Sequence, residues 1–115
     1  MKVTIYHNPR CSKSRQTLEL LQSRGIEPVI IEYLNTPPDK TTLKKILRLL
    51  KLTPRDLMRK NEDVYKKAKL DDETLSNDKL IAAMLKHPVL IERPIVLANG
   101  KAAIGRPPEN VLEIL

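Results

Sequence analysis

The chain has 115 residues, 41% hydrophobic and 30% charged, with a net charge of +7, no Phe, no Trp and a single cysteine. That length suits one domain with a core of Leu, Ile and Val; no apolar run approaches the roughly 20 residues that span a bilayer, and one cysteine excludes an internal disulfide. The positive residues are interspersed with acids and there are only three Tyr, so a cytoplasmic monomer is expected, with neither nucleic acid nor a membrane as partner.

Val3 and Ile5 alternate with Thr4 and Tyr6, the period of a strand, and Asn8-Pro9 ends it. Thr17, Leu18 and Leu21 recur at helical spacing between Ser12 and about Arg24, with Gly25 in the C′ stop position. The run VIIEY, residues 29–33, is short, β-branched and suited to a buried strand. NTPPD, 35–39, reads as a loop. Leu43, Ile46, Leu47 and Leu50 form the apolar stripe of an amphipathic helix. Thr53-Pro54-Arg55-Asp56 supplies an N-cap, a proline at N1 and an acid at N3 for a short helix. Ser76-Asn77-Asp78 opens a third helix of this block, carrying Leu80, Ile81, Met84 and Leu85 and stopping at His87-Pro88. In PIVLANGKAAIG, 94–105, two apolar segments flank Asn99-Gly100, a strong hairpin signal. Pro107-Pro108 opens a last helix with Val111, Leu112 and Leu115.

The order is β-α-β, a helical block, then β-β-α. A helix joining the first two strands makes them parallel, and the hairpin adds antiparallel strands. The expectation is an α/β, thioredoxin-like domain over 1–115, a mixed four-stranded sheet flanked by helices, with a helical insertion at approximately 39–87.

Cys11 lies in the turn between the first strand and the first helix. A thiol there faces the free N–H groups of the first turn and the positive end of the helix dipole. Arg10, Lys13, Arg15 and a charged His7 would also favour thiolate over thiol. A free cysteine is ordinarily just packed, but the strand-turn-helix position and cationic neighbours favour a reactive one. Ser14 completes C-x-x-S, either as a plain first-turn residue or as a hydroxyl that donates to the thiolate or a bound anion. Lys13 and Arg15 are solvated side chains or contributors to the local potential. His7 is a base, a charge donor or a strand-end polar residue.

Three arginines stand out beyond this loop: Arg59, Arg93 and Arg106. The last two precede prolines, which keeps them in extended or turn backbone. A guanidinium fork matches a tetrahedral oxyanion and its charge is permanent, although spacing alone does not bring the three together. One Cys and two separated His make no metal site.

With these residues in place, the chain resembles the arsenate reductase family of the glutathione- and glutaredoxin-coupled type, in a short branch of it. YHNPRCSKSR resembles that family's active-site loop, ERPIV its arginine-proline strand and IGRPPENVL its third-arginine segment. The resemblance implies a thioredoxin-like fold in which Pro94 is a cis-proline beside the site. It implies that Cys11 attacks arsenate, that Arg59, Arg93 and Arg106 bind the oxyanion, and that His7 and Ser14 assist the thiolate. It also implies no bound cofactor, glutathione as co-substrate, glutaredoxin as the partner that completes reduction to arsenite, and a role in arsenic detoxification. Two other readings compete: a glutathione-dependent thiol transferase, and an Spx-like regulator that binds RNA polymerase. The second would ordinarily carry the C-x-x-C switch that this sequence lacks.

Overall fold

The computed structural model describes residues 2–115, which form two compact units: the residues up to Thr36 with Arg93–Leu115, and Pro37–Glu92. In the first unit, β1 (Val3–His7) leads through α1 (Ser12–Ser23) to β2 (Val29–Glu32). After the second unit come β3 (Ile95–Ala98), β4 (Lys101–Ile104) and a closing 3-10 helix, Pro108–Ile114. The sheet order is β2-β1-β3-β4, parallel between β1 and β2 and antiparallel elsewhere. This is the thioredoxin-like arrangement anticipated from the element order.

Period-2 alternation directs Val3 and Ile5 to one face of β1, where they meet Leu21 of α1, Val96 and Ala98 of β3, and Val111 and Ile114. Fully burying a Leu, Ile or Val contributes roughly 1.5–3 kcal/mol, so this aliphatic cluster anchors α1 and the C-terminal turn to the sheet without any Phe or Trp. Gly25 takes a φ of +76° directly after α1 and stops the helix. The β3–β4 hairpin pairs Ala98 with Lys101 across Asn99 and Gly100, both at positive φ, as a two-residue primed turn requires.

Two expectations fail here. The VIIEY strand forms, but β2 is the sheet edge, with Val29 48% and Ile30 45% exposed. A β-branched run reports compatibility with a pleated strand, not how many neighbours cover it. The last helix is 3-10 rather than α. At three residues per turn, Pro108, Val111 and Ile114 share its buried side, while Leu112 and Leu115 are only half-buried.

The second unit is helical. Asp39 caps α2 (Lys40–Leu50) by accepting the Thr42 N–H at 2.7 Å. Thr53 and Asp56 form a reciprocal capping box on α3 (Pro54–Leu57). A five-residue α4 (Asp63–Lys67) follows, absent from the expected elements because so short a segment shows little periodicity. Ser76 then caps α5 (Asn77–Lys86), and a 3-10 turn spans Pro88–Leu90. Leu43, Ile46 and Leu47 of α2 are buried, as are Leu57, Leu80, Ile81 and Met84. Arg55 fastens α3 to α4 and the segment after it by donating to the Tyr65 hydroxyl and the Leu70 carbonyl, both at 2.7 Å, and to the Asp72 carbonyl at 2.9 Å. Among the described residues no helix is long and apolar enough to cross a membrane.

Candidate active site

Asn8 organises the loop between β1 and α1. Its side-chain oxygen accepts the Arg10 N–H at 3.0 Å, and its carbonyl accepts the Cys11 N–H at 3.0 Å. Arg15 closes the loop from outside, donating from Nη1 to the Pro9 carbonyl at 2.9 Å. The chain is thereby turned so that Cys11 is the N-cap of α1, in extended backbone. That is where Ser, Thr, Asp or Asn usually offers an oxygen to the N2 and N3 amides. Here sulfur occupies the place of that oxygen.

Cys11 is 8% exposed. Burial pushes the thiol up, but the Ser14 N–H, the Arg93 guanidinium through hydrogen bond and charge, and the Lys13 N–H together hold it below the ordinary thiol value. Arg106 also contacts the sulfur, Nη2 to Sγ at 3.5 Å, and donates from Nε to the Arg93 carbonyl at 2.8 Å. One arginine is therefore braced on the backbone of the other. Each precedes a cis proline, Pro94 and Pro107. Cys11, Arg93 and Arg106 thus meet within the first unit, at one helix terminus.

Ser14 is fully buried and engaged at both ends. Its hydroxyl shares a 2.6 Å hydrogen bond with His7 Nδ1 and accepts the Asn8 N–H at 3.0 Å. Its backbone N–H, rather than its hydroxyl, lowers the Cys11 thiol. Burial depresses His7, Glu32 pulls it upward and Arg15 pushes it down, with a net lowering. The imidazole is accordingly neutral near pH 7, not the charged neighbour that the sequence left open. Arg15 acts on the loop and on His7, while Arg10 and Lys13 place no guanidinium or ammonium among the main influences on the thiol.

Arg59 belongs to the second unit. Its guanidinium donates to Glu92 at 2.8 Å and to Glu62 at 3.4 Å, and its backbone N–H donates to the Leu90 carbonyl at 2.7 Å. Burial disfavours its charge, but the two carboxylates, Glu92 first, outweigh that.

Sequence reasoning missed Thr17 and Gly105. Thr17 is fully buried and donates to the Lys13 carbonyl at 2.8 Å, with the Gly105 carbonyl at 3.4 Å as a second acceptor. Gly105 approaches so closely that a Cβ there would lie 2.4 Å from Thr17 Oγ1 and 2.8 Å from Pro94 Cγ. A lone Gly between a strand and an Arg-Pro pair was the only signal for this contact. Among the described residues no three His, Cys, Asp or Glu are gathered for a metal ion.

The model of the ArsC family matches residues 6–114. The chain is 57% identical over 115 residues to an uncharacterized protein, YfgD, of Escherichia coli strain K12, covering 99% of this chain and 97% of that one. It is 53% identical over 115 residues to an arsenate reductase of Neisseria meningitidis serogroup B, covering 99% and 98% respectively. The solved structure of an arsenate reductase from Vibrio cholerae superposes with a TM-score of 0.97 at 56% identity, covering 100% of this chain and 98% of that chain.

Proposed function

The chain belongs to the ArsC family, and from that membership we propose that it is a cytoplasmic oxidoreductase reducing arsenate to arsenite through Cys11, with glutathione and glutaredoxin as external thiols. The observation that carries this reading is the thiol itself: lowered by the Ser14 and Lys13 amides of the first turn and faced by Arg93 and Arg106, it is held toward thiolate where a tetrahedral anion would find two guanidinium groups.

Cys11 Sγ attacks arsenic, an As–S bond forms, and one arsenate oxygen leaves as water after taking up protons. Arg93 and Arg106 neutralise charge on the remaining oxygens, and the first-turn amides retain the negative end of the site. Glutathione then attacks arsenic in the adduct, and a second oxygen leaves as water. The glutaredoxin thiol attacks the glutathione sulfur, so the As–S(glutathione) bond breaks with its electron pair left on arsenic, which passes from the +5 to the +3 state as the two external thiols finish as a mixed disulfide. Water then cleaves the Cys11–As bond, releasing arsenite and regenerating Cys11. The single cysteine accords with this scheme. Ser14 and neutral His7 support the loop beneath the sulfur, and Pro94 flanks it. The resemblance also assigns Arg59 to the oxyanion; because Glu62 and Glu92 hold its guanidinium, an anion taken up there replaces a carboxylate.

The deciding experiment measures arsenate reduction and deglutathionylation of a mixed-disulfide peptide side by side, with glutathione and glutaredoxin supplied. Arsenite formation that disappears in Cys11→Ser is the expected result. Efficient deglutathionylation with no arsenite formed would replace the arsenate reading with that of a thiol transferase.

A further inference from the structure

The catalytic loop and the two site arginines lie on separate stretches of backbone: the first turn of α1 on one side, and Arg93-Pro94 with Gly105-Arg106 on the other. Thr17 stands between them. Its hydroxyl holds the Lys13 carbonyl at 2.8 Å, in the same turn whose Lys13 and Ser14 amides face the sulfur. On its other side Oγ1 and Cγ2 lie against the Cα of Gly105, leaving no room for a methyl group. Gly105 in turn donates its N–H to the Pro94 carbonyl at 3.0 Å and is covalently joined to Arg106.

We propose that Thr17 is a positioning residue for the Cys11 site: wedged against Gly105, which also packs on Pro94, its side chain sets the separation between the thiolate and the arginines that face it. The hydroxyl keeps the wedge registered on α1 and the missing Cβ of Gly105 lets the arginine segment close onto it. A side chain at 17 without the hydroxyl leaves that segment unsupported, and any side chain at 105 forces it outward. Both changes displace Arg106 from its 3.5 Å contact with the sulfur.

The test titrates the Cys11 thiolate by its ultraviolet absorbance in Thr17→Ala, Thr17→Ser and Gly105→Ala, with kinetics alongside. A retreat of about 1 Å by Arg106 weakens its charge interaction enough to lower the thiolate fraction, at a pH below the midpoint, about two- to sixfold. Thr17→Ala and Gly105→Ala are expected to show that loss, while Thr17→Ser, which retains the hydroxyl, stays near the parent. The kinetic part rests on the proposed arsenate reading: kcat/KM for arsenate falls by up to about 100-fold, with KM for glutathione unchanged. The titration needs no turnover, so an inactive parent protein counts against that reading and not against the wedge. Folded Thr17→Ala that melts earlier yet titrates as the parent would overturn the proposal. If Gly105→Ala does not fold, Thr17→Ala and its rescue by Thr17→Ser still decide.

Discussion

Removing the charge of Arg106 while keeping a polar side chain, as Arg106→Gln does, isolates one influence on the nucleophile. The guanidinium Nη2 stands 3.5 Å from Cys11 Sγ. At that distance two unit charges attract by about 1.2 kcal/mol with bulk-water screening, and by about 5 kcal/mol at the effective dielectric of a partly buried pair. Cys11 is only 8% exposed, so the lower figure is a floor. It corresponds to about an eightfold drop in the thiolate fraction at any pH well below the midpoint. Loss of the Nε bond to the Arg93 carbonyl acts in the same direction, since that bond braces the two arginines together. Thiolate absorbance followed against pH reads the fraction directly, without the change in intrinsic nucleophilicity that complicates alkylation rates. Arg106→Lys is the companion: an ammonium preserves most of the charge but cannot serve both sulfur and carbonyl as the guanidinium does. The thiolate should then survive while KM for arsenate rises. A titration of Arg106→Gln that overlays the parent curve would refute the electrostatic account of this thiol.

The depressed Cys11 thiol also links stability to pH. The folded chain loses the proton before the unfolded chain does, so the unfolded state binds more protons between the folded midpoint and the ordinary thiol value near 9.0. The thiolate's contribution is therefore complete above that ordinary value and is lost as pH falls through the folded midpoint. The Tm difference between the parent and Cys11→Ser should grow with pH across this window; a constant difference would contradict the lowered thiol. At the hairpin, Gly100→Ala meets no atom within 4 Å but keeps a φ of +71°. It should cost about 1–2 kcal/mol from backbone conformation alone, read as a fall in Tm with the Cys11 titration unmoved, in contrast to Gly105→Ala.

What could be seen in the sequence, and what could not, follows the range of the interactions. Thr53, Asp56, Ser76, Gly25 and Asn99-Gly100 act on neighbours within a few residues, and each ends or starts an element where expected. The strand-turn-helix placement of Cys11 is likewise local. The depth of β2 depends on which strand lies beside it, and the 3-10 winding of Pro108–Ile114 depends on packing against α1 and β4, neither of which a local pattern reports. Thr17 illustrates this most clearly. Spacing correctly assigns it to the buried side of α1, yet its importance comes from Gly105, 88 positions away.

The same contrast separates what holds the thiol from what holds the arginines. The amides of Lys13 and Ser14 reach the sulfur through the geometry of a single helical turn, so they come with the fold of residues 8–15 and vary little with the rest of the chain. Arg93 and Arg106 reach it only because β3 and β4 return the distant segment to β1 and because Gly105 permits close approach. Two kinds of perturbation should therefore be separable at one atom. Changes at Asn8 or Ser14 disturb the amide contribution, and changes at Thr17, Gly105 or Arg106 disturb the guanidinium contribution. Only the second responds to salt, because it arises between full charges, and the part-buried site keeps that response modest. Raising ionic strength should accordingly push the Cys11 midpoint upward in the parent and less in Arg106→Gln, where only Arg93 of the pair remains charged. Equal salt responses in the two proteins would mean that the charge of Arg106 does not hold this cysteine as a thiolate, leaving Arg93 and the helix terminus to do so.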